Sequence, residues 1–588
     1  MHKRSERSTG AQQAVRRNGR LCLLLITRED SMKHIRKVLV ANRGEIAIRA
    51  FRACRELGIR TVAIYSKEDI LSLHRNRADE AYLVGAGDKP VDAYLDIEDI
   101  IRICKEHNVD AVHPGYGFLA ENAKLAQRCE EEGITFIGPH VEHLIMFGDK
   151  VNARIQAEKA GIPMIPGTKG AVHDFSEVKE FAEKYGLPVM IKAVNGGGGR
   201  GMRNVDRMED LEEAYNRARS EAKMAFGDDE VYVEKCIMNP KHIEVQILGD
   251  EHGHVVHLFE RDCSIQRRHQ KVIEMAPAWS LPQSLRDKIN EAAVKLMKNV
   301  NYVNAGTVEF LVDQDEKHFY FIEVNPRVQV EHTVTEMITD VDIVKTQILI
   351  AEGYSLESPE IGIGKQSEIW FKGVAIQCRI TTEDPQNNFM PDTGKIIAYR
   401  SGGGPGIRLD AGTAYTGAVI TPYYDSLLVK VTAHSLHAKD TIHKMLRCLD
   451  EFRISGVKTN IYFLQNMLRT RDFQEGLCDV NYIDRNPWLL QEPDTVSDRG
   501  TRLLTYIGDI TVNGYAGAGH QDKPDFAPAP VLDASHETAP KGTRQLLDEL
   551  GPEKFAKWVM DRKEVMFMDT TYRDAHQSLL ATRVRTHD

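Results

Sequence analysis

The sequence has little cysteine. Nine cysteines are spread over 588 residues, from Cys22 to Cys478, with no Cys-x-x-Cys pair. That excludes a disulfide-stapled scaffold, offers no thiolate zinc site and fits a reducing compartment. Long apolar runs are lacking as well: the longest aliphatic stretch, Leu21 to Ile26, falls far short of the ~20 residues of a membrane-spanning helix. Nor is there an excess of positive charge. With 76 Lys and Arg against 86 Asp and Glu, the formal net charge is -10, so neither a nucleic-acid partner nor an anionic membrane surface is expected, although a local basic pocket is compatible with that balance. A Gly-Lys-Ser/Thr loop, a dinucleotide fingerprint after the first strand and internal repeats are all missing.

The 42% apolar and 28% charged residues describe an ordinary globular chain, long enough for roughly three to five folding units of ~100–200 residues each. The Arg-rich opening holds a single acid, Glu6, before Glu29. It describes either a mitochondrial presequence or an upstream stretch read from the wrong start. Met32-Lys33 leads straight into a strand pattern, which favours the second, so residues 1–31 are expected to be a disordered extension. The expected location is cytoplasmic, ahead of the mitochondrial matrix.

From Val38-Leu39-Val40 the chain passes through Gly44 and helically spaced Ile46, Ile48, Phe51 and Leu57 to Thr61-Val62-Ala63-Ile64-Tyr65, a βαβ pattern. The alternation continues with a helix near Ile97 to His107 and strands at Asp110-Ala111-Val112 and Thr135-Phe136-Ile137, predicting a parallel α/β sheet. Beyond a helix at Lys150 to Ala160, strand patterns at Pro188 to Lys192, Val231 to Glu234, His242 to Leu248, Val255 to Glu260, Thr307 to Val312 and Phe319 to Val324 follow one another with few helices between. That predicts an antiparallel sheet. A third strand-rich region runs from Val374 to about Val431 and closes with helices to about Ile483, and Gln521 to Lys541 reads as a linker.

Three groups of residues point to chemistry. Lys192, at a strand end, precedes Gly196-Gly197-Gly198-Gly199-Arg200-Gly201-Met202. A fixed cation beside a glycine loop can surround a phosphate chain, the alternative being a plain surface loop. Glu309 and Glu323 stand on separate strand patterns, with Asn325 on the same face as Glu323. Mg²⁺ bridging nucleotide phosphates is held by one or two such carboxylates, whereas two solvated strand residues would look alike in sequence. The runs Gln266-Arg267-Arg268-His269-Gln270-Lys271 and Arg327-Val328-Gln329-Val330-Glu331-His332 place cations beside a carboxylate, suited to holding an anion and accepting a proton. His269 and His332 lack zinc-site spacing.

Taken in order, Ala41-Asn42-Arg43-Gly44-Glu45-Ile46-Ala47, His113-Pro114-Gly115-Tyr116-Gly117-Phe118-Leu119, the Gly196 loop, Glu260 to Lys271 and Glu323 to His332 resemble biotin carboxylase, an ATP-grasp enzyme, over about Met32 to Asn486. The resemblance implies an α/β and α+β multidomain protein. It comprises an extension at 1–31, a Rossmann-like pre-ATP-grasp domain at 32–148, an ATP-grasp domain at 149–352, a strand-rich biotin carboxylase C-terminal domain at 366–485, a partial allosteric and linker region at 486–560, and the start of a carboxyltransferase barrel at 561–588.

By that resemblance Lys150 and Lys192 contact ATP phosphates, and Gly196 to Met202, including Gly197, Gly198, Gly199 and Gly201, form the lid loop. Glu234, Lys235, Ile237 and His242 line the adenosine pocket, and Gln266 and His269 join the nucleotide-binding set. Glu309, Glu323 and Asn325 hold Mg²⁺ (or Mn²⁺). Arg327 and Lys271 bind bicarbonate, Glu331 removes its proton, and Arg379 stabilises the enolate of biotin, which arrives on a carrier domain. The tail Met568 to Arg583 resembles the first barrel strand of the carboxyltransferase domain shared by pyruvate carboxylase, oxaloacetate decarboxylase and transcarboxylase, and behind a biotin carboxylase this points to the pyruvate carboxylase family. In that family the residue matching Asp574 is a transferase metal ligand and the one matching Gln577 helps bind pyruvate; with the sequence ending at Asp588 the other ligands and the barrel are missing, so neither role is expected to be realised here. Ser497 to Gly514 resembles that family's allosteric domain, which implies acetyl-CoA as activator, with Arg499 as a candidate phosphate contact. The implied assembly is a homo-oligomer, a tetramer for the full-length family. The competing expectations are another ATP-grasp ligase and a non-catalytic nucleotide-binding subunit.

Overall fold

Lys37–Val40 (β1) is apolar after Lys37 because both faces of the sheet it joins are covered: Val38, Leu39 and Val40 are fully buried. The computed structural model describes residues 33–85, 87, 89–168, 170–194, 202–226, 229–492, 499–514 and 541–578, which fall in two units, Met1–Asp494 and Thr495–Asp588. Around β1 lie Arg60–Tyr65 (β2), Glu80–Leu83 (β3), Ala111–His113 (β4) and Thr135–Phe136 (β5), all parallel, in the order β3-β2-β1-β4-β5. This is the α/β sheet that the alternation predicts. It also gains β3, a short and partly exposed edge strand that the alternation did not single out.

Strand order reverses between β1 and β4, so the loops after them part and leave a crevice at their carboxyl ends. Asn42 Nδ2 ties the two loops by donating to the carbonyls of Pro114 and Tyr116, at 2.9 and 2.8 Å. The approach demands Gly115, whose φ is +66° and where a Cβ would stand 2.9 Å from Asn42 Nδ2. The helix Gly44–Glu56 starts at this crevice with Glu45 in its first turn and buries Ile46, Ala47, Ala50, Phe51 and Cys54.

Val189–Ala193 (β6), Met202–Val205 (β7) and Val231–Lys235 (β8) form a small antiparallel sheet ordered β7-β6-β8. Its core combines Val189, Ile191, Val231 and Val233 with Val178 and Phe181 of helix Phe175–Tyr185. Period-two alternation turns Lys192 to the opposite face.

Lys241–Gly249 (β9), Val255–Arg267 (β10), Gln270–Ala276 (β11), Asn304–Val312 (β12), Phe319–Asn325 (β13) and Val374–Thr381 (β14) build an eight-stranded antiparallel sheet with Leu427–Ser435 and Ile407–Ala411. The order is β13-β12-β9-β10-β11-β14, then Leu427–Ser435, then Ile407–Ala411. The pairing of β11 with β14, Glu274 opposite Gln377, carries one surface across residues 353–373. All nine residues of β9 are buried. Ile243, Val245 and Ile247 pack in a core with Leu285, Ile289 and Leu296 of helix Gln283–Asn299, while His242, Glu244 and Gln246 alternate onto the other face. A buried polar sheet face needs partners for every group, and it is here that the site forms.

The second unit contains helices Arg499–Asn513, Thr543–Met560 and Thr571–Ser578, the middle one broken at Gly551-Pro552. Of the stretch Met568 to Arg583 that resembles a first barrel strand, the described residues carry no strand at 568–570 and the helix Thr571–Ser578 after it. A strand requires a neighbour to take up its backbone groups, whereas a helix satisfies them locally. The extension at 1–31 and most of the expected linker, 521–540, lie outside the described residues. Among the described residues no helix is long and apolar enough to cross a membrane.

Candidate active site

Five neighbouring strands, β12, β9, β10, β11 and β14, and the loop after β13 deliver charged side chains to the buried polar face. The ammonium of Lys271, on β11, donates to Glu244 on β9, to Glu309 Oε1 on β12 at 2.8 Å and to Glu331 Oε1 at 2.7 Å. Arg379, on β14, grips Glu274 Oε1 at 2.5 Å and Glu331 Oε2 at 3.1 Å, so each oxygen of Glu331 faces a different cation. Arg261 is fully buried on β10. It holds Glu244 through Nε, Gln246 and Thr335 through Nη1 at 2.8 and 2.9 Å, and Thr307 and Gln329 through Nη2 at 3.2 and 3.0 Å. Glu309 Oε1 also accepts from Gln329 at 2.8 Å and Asn325 at 3.0 Å, and His242 Nε2 lies 2.9 Å from Glu309 Oε2.

Burial dominates the electrostatics, and charge pairing decides its outcome. Desolvation alone would push Glu331 upward, but Lys271, Arg379 and Arg261 outweigh it and hold the carboxylate well below its ordinary range. Glu309 is held low in the same way by Lys271 and His242. The reverse holds for Lys271: burial disfavours its charge, yet Glu244, Glu309 and Glu331 raise it well above an ordinary lysine. Glu274 is pushed up by burial, with the charge of Glu331 adding to the shift against the pull of Arg379. Burial likewise lifts the Cys263 thiol far from thiolate formation.

The donor set fits a hard divalent cation. Glu309 and Glu323 stand directly opposite each other on β12 and β13, a placement that brings same-face side chains close together, and Asn325 adds an amide oxygen beside them. Glu244, Glu274, Glu309 and Glu331 are four carboxylates against the three cations Lys271, Arg261 and Arg379, a balance that accommodates added positive charge. Among the described residues, ligand-type side chains converge at His242, Glu244 and Glu309 and at Glu244, Cys263 and Glu331. The chemistry that suits Mg²⁺ is the oxygen set at the first group.

The expected nucleotide contacts form separate clusters. Lys192 Nζ and Arg154 Nη1 each reach a different oxygen of Glu234, at 2.6 Å, and Met202 lies opposite Lys192 in the β6–β7 ladder. Lys150 is largely exposed and 3.4 Å from Glu323. Lys235 Nζ donates to the carbonyls of Gly186 and Leu187 at 3.1 and 2.9 Å, and Ile237 follows β8 half-buried. Gln266 is buried, with Nε2 on the Cys263 carbonyl at 2.9 Å. His269 sits exposed in the two-residue turn between β10 and β11, where Arg268 and His269 both have positive φ, 48° and 64°. Arg327 bonds Glu121 Oε1 at 2.5 Å and Asn325 Oδ1 at 3.0 Å. Gly197, Gly198, Gly199 and Gly201 lie outside the described residues. Asp574, in the second unit, is exposed and bonded by Thr570 and Arg573. Sequence reasoning did not single out Glu244, Arg261, Glu274 or Gln329. The available signal was an ionisable residue flanked by apolar ones within a strand pattern, as in Ile243-Glu244-Val245 and Ile273-Glu274-Met275.

Comparison with known proteins points to one family. The family model described as Biotin carboxylase, N-terminal domain matches residues 34–144, Carbamoyl-phosphate synthase L chain, ATP binding domain matches 149–359, and Biotin carboxylase C-terminal domain matches 377–485. Pyruvate carboxylase of Bacillus subtilis is 64% identical over 560 residues, 95% of this chain and 48% of that protein, so the chain spans about half the length of the curated relatives it matches. The biotin carboxylase domain of Hydrogenobacter thermophilus 2-oxoglutarate carboxylase, solved with MgADP, ADP and bicarbonate, aligns with a TM-score of 0.72 at 46% identity, covering 79% of this chain and 100% of that domain. Rhizobium etli pyruvate carboxylase with acetyl coenzyme-A aligns with a TM-score of 0.73 at 50% identity, over 94% of this chain and 49% of that one. Matched along the entire length of a solved biotin carboxylase domain and by both biotin carboxylase family models, this chain belongs to the biotin carboxylase family.

Proposed function

We propose that the chain carboxylates biotin with bicarbonate at the expense of ATP, through carboxyphosphate. The observation that carries this reading is the convergence of Lys271 and Arg379 on the two oxygens of Glu331. Bicarbonate is a poor nucleophile, so a nearby carboxylate must take its proton while cations gather the developing charge. Glu331 is ionised at neutral pH because those cations hold its carboxyl low. When bicarbonate binds Lys271 and Arg327, its own negative charge competes for the cations, which raises the proton affinity of Glu331 as the acceptor is needed. The deprotonated oxygen attacks the γ-phosphorus and ADP leaves; carboxyphosphate then breaks at its carbon–oxygen bond, the released phosphate takes the N–H proton of biotin, and the resulting enolate, stabilised by Arg379, takes up the carboxyl group.

Lys150 and Lys192 serve the ATP phosphates, the Gly196 to Met202 segment is the lid, and Glu234, Lys235, Ile237, His242, Gln266 and His269 belong to the nucleotide site. Glu309, Glu323 and Asn325 would hold Mg²⁺, which supplies charge neutralisation at the phosphates. The solved relative with MgADP and bicarbonate supports the ligand classes, a magnesium nucleotide and bicarbonate. For the longer protein that the relatives suggest, the proposed overall reaction is pyruvate to oxaloacetate, with Asp574 and Gln577 in the transferase. Its proposed partners are a biotinylated carrier domain and further copies of the chain, with acetyl-CoA as activator and the cytoplasm as location. ADP release measured with and without bicarbonate and free biotin tests the reading: both should be required for full rate, and Glu331→Gln should lower that rate ~10²–10⁴-fold. ADP release indifferent to both substrates, or a Glu331→Gln protein within a few-fold of the parent, would overturn it.

A further inference from the structure

Lys430 has no exposed surface and sits in the strand Leu427–Ser435, and the reaction as derived gives it no part. A buried ammonium is costly unless paired, so its partners define its role. Its Nζ donates to the Val330 carbonyl at 2.9 Å and lies 2.9 Å from Glu45 Oε1. Glu45 also accepts the hydroxyl of Tyr116, whose ring is 5.8 Å from Lys430 Nζ. Three distant segments therefore meet: the first turn of helix Gly44–Glu56, the loop after β4, and Leu427–Ser435. The backbone at Gly412 presses on the same helix start, since a Cβ there would stand 2.5 Å from the Glu45 amide nitrogen. Glu45 is thus fixed, and through it the ammonium. The Val330 carbonyl shares a rigid peptide plane with the amide nitrogen of Glu331, so a bond to that carbonyl orients the residue whose carboxylate meets Lys271 and Arg379.

We propose that Lys430 and Glu45 are a positioning pair for Glu331, in which Glu45 holds the ammonium and the ammonium holds the Val330–Glu331 peptide plane. The inference rests on the reading of Glu331 as the proton acceptor. The test compares the parent with two proteins that remove both charges together, so that no isolated buried ion remains: Lys430→Met with Glu45→Gln, and Lys430→Gln with Glu45→Gln. Bicarbonate- and biotin-dependent ATP cleavage and thermal unfolding are measured on each. Because a misplacement of ~1 Å costs on the order of 10²-fold, the Met protein should lose kcat by about tenfold or more, with the KM for ATP within about threefold of the parent. The Gln protein keeps an N–H donor for the Val330 carbonyl and should recover part of that kcat, even though the more apolar Met protein melts at the higher temperature. A structural role alone would make activity follow stability. The proposal fails if the Met protein keeps kcat within about threefold of the parent, if it equals or exceeds the Gln protein in kcat, or if neither protein folds, since the pair would then belong to the fold. Glu331→Gln run alongside separates the two readings: if it stays active the assignment of Glu331 falls, and if it is inactive while the Met protein is active only the positioning proposal falls.

Discussion

Replacing Lys271 with Met removes one ammonium shared by three buried carboxylates, Glu244, Glu309 and Glu331. The side chain is nearly isosteric, so the effect is electrostatic. Glu244 keeps Arg261, Glu331 keeps Arg379 and Glu309 keeps His242, so none is left bare. Breaking a buried pair by deleting one partner costs about 3–5 kcal/mol, and the remaining partners place this site toward the low end, about 3 kcal/mol at pH 7.5. The pH dependence carries the sharper signature. In the parent, Glu309 and Glu331 are held low, a contribution present above the ordinary carboxylate value and lost as pH falls below it. Without the ammonium, burial has less to oppose it and a carboxyl rises. The variant then takes up a proton as pH falls, which relieves the penalty, so the difference from the parent should shrink between pH 7.5 and pH 5. Urea unfolding followed by fluorescence at both values measures it. A difference under about 1 kcal/mol at pH 7.5, or one that grows toward pH 5, would refute the shared-cation account.

Kinetics should distinguish the two lysines: Lys192→Ala should chiefly raise the KM for ATP, since Lys192 and Glu234 belong to the proposed nucleotide site, whereas Lys271→Ala should chiefly lower kcat. Identical profiles would contradict separate roles. His74 and His113 are fully buried, and burial lowers both from 6.5 to about 4. The unfolded chain therefore binds more protons below 6.5, and stability should fall as pH drops toward 4 by roughly 3 kcal/mol for each histidine, at ~1.4 kcal/mol per pH unit. Thermal melting from pH 7.5 to 5 should show the loss, and His74→Gln, which keeps a donor for the Ile64 carbonyl, should reduce it; an unchanged slope would count against a buried neutral His74.

The strand patterns at Val38-Leu39-Val40 and Thr61 to Tyr65 were legible because a two-sided parallel sheet writes itself as continuous apolar runs. The antiparallel sheet was legible from strands that follow one another without helices. β3 was not, because the apolar run Ala81-Tyr82-Leu83 is short and lies at a partly exposed sheet edge, where it does not stand out from a loop. Among the described residues of the stretch that resembles a barrel strand stands the helix Thr571–Ser578, and strand formation depends on neighbours, which residue types alone do not reveal. Within the site, the short motifs drew attention to Lys271 and Glu331. Glu244, Arg261 and Glu274 stayed hidden because a charged residue inside an apolar strand looks solvent-facing until both sheet faces prove to be buried. Glu45 and Lys430 are 385 positions apart in the numbering, and only the folded chain shows that they meet.

The central claim is that bicarbonate attacks the γ-phosphorus of ATP to give carboxyphosphate, which hands its carboxyl to biotin. Bicarbonate labelled uniformly with ¹⁸O, incubated with ATP, Mg²⁺ and free biotin, tests this at the bond that forms. The attacking oxygen stays with phosphorus when the carboxyl group departs, so mass spectrometry of the inorganic phosphate should show one ¹⁸O atom per turnover. Phosphate carrying no label while biotin is carboxylated would contradict the account.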